Sequence, residues 1–135
     1  VPTEIDAHAR FFEDAPVVTL PTAFRPFSEC RDLLGDGSLL AIELPGHCAG
    51  HWGLAFETHE GRPVLLAADA VWSGRSIAEN RAPPRLTTAL LGDTRRYRAT
   101  LSMLSAAASA NKDLTILPSH CAISAKAFCG KDVAG

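Results

Sequence analysis

The sequence predicts an α/β fold of the α+β kind, with an antiparallel or mixed sheet and flanking helices. Three apolar runs, separated by turns that contain glycine or proline, predict neighbouring strands at 38–44, 52–58 and 64–70. An amphipathic stretch predicts a helix over about 93–110, and a short apolar run at 114–118 predicts another buried strand.

Length and composition limit the number of domains and the classes of partner. A chain of 135 residues is long enough for one hydrophobic core, so 1–135 is treated as a single domain. Its net charge of -2 argues against nucleic acid or an anionic membrane as a partner. The longest apolar runs are too short to span a bilayer. We therefore expect a soluble, cytoplasmic protein.

The region before residue 38 carries weaker signals. "EIDAHARFF" is compatible with a short helix or a turn, and "PVVTLP" with a short strand. "FSECRDLLGDGS" contains turn signals at Gly35-Asp36-Gly37.

The three predicted strands form one unit. The first is bounded by Gly37 and Pro45, and "HEGRP" supplies a turn between the second and the third. Connections this short join antiparallel neighbours, so the three strands are predicted to form a meander.

The predicted helix has clear local signals at both ends. Asp93 is a suitable N-cap, and Asn111 is a plausible stop. Apolar residues recur with helical spacing on one face, at Tyr97, Leu101, Leu104 and Ala108. The irregular stretch that precedes this helix is long for a loop, which predicts either a functional role or a short helix within it.

The four cysteines form no CxxC pair and match no disulfide framework. We expect free thiols in a reducing compartment, and each cysteine is also explained as a small buried hydrophobic residue. They are Cys30, Cys48, Cys121 and Cys129.

Three polar side chains follow strands of the predicted sheet. His47 follows the first strand, Asp69 lies at the end of the third, and His120 follows the last. A loop histidine alone is usually a surface residue, and an aspartate after a strand is often only a turn residue. Two histidines and an aspartate together are an ordinary ligand set for zinc or iron. The combination favours a metal site at the strand ends.

The stretch "LPGHCAGHWG" holds His47 and His51 four residues apart, as in helical zinc motifs. Pro45, Gly46 and Gly50 exclude a helix here, so helical spacing does not explain the pair.

These segments resemble three motifs of the metallo-β-lactamase-fold hydrolases. "LPGHCAGHWG" is similar to the family's "PGHTPGH" loop, "LLAADAVW" to its aspartate after a buried strand, and "ILPSHC" to its last histidine. The resemblance covers about residues 30–122. It implies metal ligands at His47, Asp69 and His120, with Asp69 bridging two ions and so acting as the catalytic carboxylate. His51 stands where the family has a histidine that is not a ligand.

The resemblance implies a dinuclear centre, with zinc as the expected metal and iron or manganese as alternatives. It also implies that a metal-activated water hydrolyses an ester, lactone or thioester of a small-molecule substrate. An aspartate at position 69, where β-lactamases of this fold commonly have cysteine, favours the lactonase or glyoxalase-II-like branch. Trp72 stands where some lactonases have a tyrosine, and we expect it to shape an apolar substrate pocket.

The family's HxHxDH motif is absent, Val1 is the first residue and Met103 is the only methionine. We therefore expect the C-terminal half of a four-layered αββα sandwich, inactive or nearly so in isolation. The alternative is a non-catalytic truncated domain that serves packing or association. Half a sandwich leaves one sheet face uncovered, so we expect self-association or pairing with the N-terminal half. The residues expected to lose cover are Leu39, Ile42, Leu65 and Ala67.

Overall fold

Six strands form one open sheet in which the spatial order follows the chain order. A computed structural model describes residues 10–48, 50–84, 86–87 and 92–130. All neighbouring strands are antiparallel except the last two, which are parallel. The strands are β1 (Val17–Thr19), β2 (Glu29–Asp32), β3 (Leu40–Glu43), β4 (Trp52–Glu57), β5 (Pro63–Ala68) and β6 (Thr115–Pro118).

Three helices whose bounds lie within the described residues follow β5. They are α1 (Gly74–Glu79), α2 (Thr94–Ala110) and α3 (Ala122–Cys129). Parallel neighbours need a long crossover, and α1 and α2 lie in the connection between β5 and β6. Residues 10–14 form a helical turn, and Thr22–Phe24 form a 3₁₀ turn.

The α+β class, the meander β3–β4–β5 and the last strand are confirmed, with ends shifted by one or two residues. The short strand within "PVVTLP" is confirmed as β1, and the long connection contains a short helix, α1. The end signals of α2 are also confirmed, because the Asp93 side chain accepts hydrogen bonds from the amides of Arg95 and Arg96. Residues 10–14 support the helical interpretation of "EIDAHARFF", whose earlier residues lie outside the described ones.

Two elements have no counterpart in the sequence-based prediction. β2 was not predicted, since only Cys30 of its four residues is fully buried and the segment has no strand-like alternation. Its strand character comes from pairing on both sides, with β1 and β3. The turn signals at 35–37 fall in the bend that follows β2. The helix α3 has no predicted counterpart, since it buries no residue completely and has no side-chain N-cap.

The hydrophobic core lies on the face of the sheet that α2 covers. Leu101 and Leu104 of α2 are 1% and 0% exposed, and they belong to the same cluster as Ile42 and Leu65 of the sheet. The largest fully buried side chains are Phe24, Ile42, Leu44, Leu65, Leu101, Leu104, Val64 and Val71. Side chains alternate between the two faces along each strand, so the core cluster contains Leu65 and Ala67 of β5, whereas the equally buried Val64 lies at an alternate position outside this cluster.

The opposite face is apolar and only partly covered. Leu54 and Leu66 are cross-strand partners on this face, Leu117 pairs with Leu66, and all three are half-buried. The Phe12 ring stacks on Trp52 at one end, with ring centroids 5.9 Å apart. A groove of about 370 Å³ remains, lined by Phe12, Trp52, Leu54, Leu66, Ala68, Leu117, Pro118 and Ser119. We call these residues, together with Phe56, the open face.

Three of the four residues predicted to lose cover are therefore wrong. Ile42 is 2% exposed, and Leu65 and Ala67 are fully buried, because their strand positions face the helices. Leu39 is half-buried just before β3. An error of one position in assigning strand faces exchanges the two sides of a sheet, and the open face consists of the alternate positions.

Within the described part of the chain, no helix is long and apolar enough to cross a membrane.

Candidate functional site

Strand directions bring His47, Asp69 and His120 to one edge of the sheet. β4 is antiparallel to both β3 and β5, so β3 and β5 run the same way, and β6 is parallel to β5. The C-terminal ends of these three strands consequently lie at the same edge. Each of the three residues follows one of these ends.

The Asp69 carboxylate lies between the two histidines. Its Oδ2 is 3.9 Å from His47 Nε2, and its Oδ1 is 3.3 Å from His120 Nε2. The second contact is not a hydrogen bond, and Oδ1 is inaccessible and without a hydrogen-bond partner. Each carboxylate oxygen therefore faces a different imidazole.

The backbone before Asp69 leaves the regular strand conformation. Ala68 has φ of +49°, and the register between β5 and β6 shifts between Leu66 and Ala68. The carbonyl of Ala68 accepts a hydrogen bond of 2.9 Å from the Ser119 amide, which ties the residue before Asp69 to the residue before His120. An irregularity of this kind re-aims the side chain that follows it.

His47 and His120 differ in exposure. The His47 side chain is 34% exposed, in the loop after β3, whereas the His120 side chain is 83% exposed, directly before α3. The loop of His47 is closed at its base, where the Leu44 amide donates to the His51 carbonyl over 2.9 Å. Ala49, in the same loop, lies outside the described residues.

His51 packs beside His47, with ring centroids 5.9 Å apart and nearly perpendicular planes. Its local hydrogen bond uses the backbone carbonyl, while Nδ1 of the ring is buried without a partner. Burial lowers the pKa of His51, and the neighbouring charge of His47 lowers it further. That His51 is not a ligand stays a prediction. His59 is exposed in a turn, and His8 lies outside the described residues.

Cys121, directly after His120, is a neighbour that the sequence did not single out. Its Sγ accepts from the Gly74 amide at 3.5 Å and from the Ser124 hydroxyl at 3.1 Å. The Gly74 amide, followed by the Ser124 hydroxyl, lowers the pKa of the Cys121 thiol. In the sequence, only its position directly after His120 could have drawn attention to Cys121. The two hydrogen-bond donors cannot be found from the sequence, because they come from two separate helices.

All four cysteines are free thiols, as expected. The interpretation as small buried residues holds for Cys30 and Cys121 and is wrong for Cys48 and Cys129, which are exposed. The indole of Trp72, the predicted pocket residue, is 46% exposed.

Among the residues that the structure describes, no group of three or more histidine, cysteine, aspartate or glutamate side chains converges on one point. The three predicted residues form two pairs that share Asp69.

No protein-family model, no curated protein and no solved structure matches this chain.

Proposed function

We propose that His47, Asp69 and His120 are ligands of a dinuclear metal centre in a hydrolase with a metallo-β-lactamase-like fold. One observation supports this most strongly: the Asp69 oxygens face different imidazoles, at 3.9 Å and 3.3 Å. A carboxylate placed in this way can hold two cations, one on each oxygen.

The donor atoms fit such a centre. Zinc binds imidazole nitrogen and carboxylate oxygen at roughly 2.0–2.2 Å, so two ligands of one tetrahedral ion lie roughly 3.4 Å apart. The two observed distances bracket this value. In addition, Asp69 Oδ1 is a buried acceptor without a hydrogen bond, which costs free energy unless a cation or donor compensates it.

The same arrangement accounts for the lack of a three-ligand group among the described residues. Each ion would receive one imidazole and one carboxylate oxygen from these residues, which is fewer than a zinc site needs. The other ligands would come from a segment equivalent to the HxHxDH motif, which this sequence lacks.

The chemistry proposed is hydrolysis of an ester, lactone or thioester. Bound zinc, or iron or manganese in its place, lowers the pKa of a coordinated water and supplies hydroxide near neutral pH. The chain's own residues would hold the centre in place: His47 and His120 bind through Nε2, and Asp69 supplies the shared negative charge. Trp72, three residues after Asp69 and 46% exposed, would contact a small-molecule substrate.

The sheet supports the finer fold assignment as half of a four-layered αββα sandwich. Helices cover one face, and the open face is apolar with a groove of about 370 Å³. A second sheet packed on the open face would complete such a sandwich.

The alternative is a non-catalytic domain that serves packing or association. The observation that favours it is the 83% exposure of His120 together with the absence of a three-ligand group in the described ranges. On this alternative the three residues are only an exposed polar cluster.

A zinc titration followed by NMR of the histidine side chains separates the two functions. We expect Zn²⁺ to shift the ring signals of His47 and His120 and to leave those of His59, the exposed control, unchanged. Asp69→Ala should abolish both shifts, because it removes the shared carboxylate. Retention should be weak, with well under one zinc per chain after dialysis, since few ligands are present. Equal responses of all histidines, or an unchanged response in Asp69→Ala, would refute the metal centre.

A further inference from the structure

The loop that carries His47 is attached to α2 by two hydrogen bonds. We call residues 44–48 the His47 loop. The Asp93 amide, at the N-cap of α2, donates to the Gly46 carbonyl at 3.0 Å. The Thr100 hydroxyl donates to the Pro45 carbonyl at 2.6 Å. Two successive carbonyls directly before His47 are therefore fixed by one helix.

The helix backbone and the His47 loop also touch directly. A Cβ atom on Gly46 would lie 2.4 Å from Tyr97 Cα, and one on Gly92 would lie 2.2 Å from the Gly46 carbonyl oxygen. Real Cβ atoms do not approach other atoms so closely, so both contacts require glycine. The loop therefore lies on the first turns of α2 with no side chain between the two backbones.

Thr100 is placed unusually for a helix residue. It is 5% exposed and is the one buried polar side chain of the described part of the chain. A threonine within a helix commonly hydrogen-bonds a carbonyl of the preceding turn. Here the hydroxyl reaches across to Pro45, a separation of 55 residues. The bond therefore links the helix to the loop and contributes nothing to the helix's own ladder.

We propose that Thr100 is a positioning residue for His47. Its hydroxyl fixes the Pro45 carbonyl, and with the Asp93 amide it holds the backbone that directs the imidazole towards Asp69. This inference rests on the proposed function in one respect only, namely that the positioned His47 binds a metal ion. The placement of the His47 loop is a property of the chain itself.

The test compares Thr100→Val with Thr100→Ser in the full chain. Valine keeps the shape of threonine but leaves the buried Pro45 carbonyl without its donor. Serine keeps the hydroxyl. Ser102→Ala is the matched control, since Ser102 lies on the exposed side of α2 and its hydroxyl contacts Asn80.

Two readouts are measured on each variant. The first is hydrogen exchange of the Leu44 and Asp93 amides, which donate to the His51 and Gly46 carbonyls, relative to the Leu104 amide in the middle of α2. The second is zinc affinity, from the shifts of the histidine ring signals. In Thr100→Val we expect about tenfold faster exchange in the His47 loop at unchanged Leu104 exchange, and about tenfold weaker zinc binding. Thr100→Ser should restore both.

Two results would overturn the proposal. The first is that exchange in the His47 loop is the same in Thr100→Val as in Ser102→Ala. The second is that Thr100→Val accelerates exchange at Leu104 as much as in the loop, which would indicate a merely structural role. Failure of the proposed function looks different, because the wild-type chain would then show no zinc response at all. In that case the exchange comparison still decides whether Thr100 positions the loop.

Discussion

Asp69 owes its place at the site to the residue before it. Ala68 has a positive φ of 49°, a conformation that costs a non-glycine residue roughly 1–2 kcal/mol. The pattern "VLLAADA" predicts a buried strand with an aspartate at its end, and the structure agrees. It contains no signal for the backbone irregularity, because the irregularity arises from the pairing of β5 with β6. The three candidate ligands could be found from sequence, and the orientation of their side chains could not.

At the same scale, His51 should make the metal-free chain sensitive to acid. Its pKa in the folded protein is lowered from the ordinary value of 6.5, mainly by burial. Between the two pKa values, the unfolded chain therefore binds a proton that the folded chain does not. The stability that neutral His51 contributes is fully present above the unfolded pKa. Stability should fall as the pH drops through 6.5 towards the lowered value. The denaturation midpoint of His51→Gln should fall less over this range than that of the wild type.

His59→Gln is the control for this pH profile, because His59 is exposed in a turn. Its profile should follow the wild type. Parallel profiles for His51→Gln and the wild type would show that burial of His51 does not govern acid sensitivity.

At the scale of elements, α2 was predictable and β2 and α3 were not. The helix has an N-cap, an apolar face and a stop within its own sequence, so local signals suffice. β2 depends on partners on both sides, and α3 begins at Cys121 without a side-chain cap. Elements whose stabilisation comes from distant residues leave little trace in local sequence.

The N-cap of α2 should contribute measurably to stability. The Asp93 carboxylate accepts from the amides of Arg95 and Arg96 at 3.0 Å and 3.1 Å. Asp93→Ala should lower the free energy of unfolding by about 1 kcal/mol, whereas Asp93→Asn, which still caps, should lower it by less. Urea denaturation measures both. Asp113→Ala, in the exposed turn after α2, serves as the control, and a cap variant no less stable than this control would refute the assignment.

The contact between the His47 loop and α2 gives a sharper prediction. Gly46 and Gly61 both have positive φ, of 135° and 77°, but only Gly46 has backbone atoms where a Cβ would be. Gly61→Ala should cost roughly 1–2 kcal/mol of unfolding free energy from conformation alone. Gly46→Ala should cost clearly more, because the loop and α2 must also separate. Denaturation of the two variants side by side tests this, and equal losses would mean that the contact is easily relaxed.

At the scale of the whole molecule, the two faces of the sheet differ in cover. The core face is closed by α2 and by Phe24, whereas the open face is covered at one end by Phe12. The sequence indicated that one face would lack cover, but three of the four residues assigned to it are buried in the core. Strands as apolar as β5 carry hydrophobic residues on both faces, so hydrophobicity alone does not distinguish them.

The open face leads to our last prediction, that the purified chain self-associates or pairs tightly with a complementary sheet. Buried apolar area contributes about 25 cal/mol per Å², and only part of this remains as association free energy once the cost of immobilisation is subtracted. Even that part disfavours leaving Leu54 and Leu66 in water. Sedimentation at roughly 10–50 μM, a range in which association of moderate strength is measurable, should therefore show species larger than a monomer.

Leu54→Glu should shift the chain to monomer, because a charge at the centre of the open face cannot be buried without a partner. Leu34→Glu, at an exposed leucine outside this face, should sediment like the wild type. A wild-type monomer that binds no apolar dye would contradict the prediction and would mean that the segment carrying Phe12 covers the face sufficiently by itself.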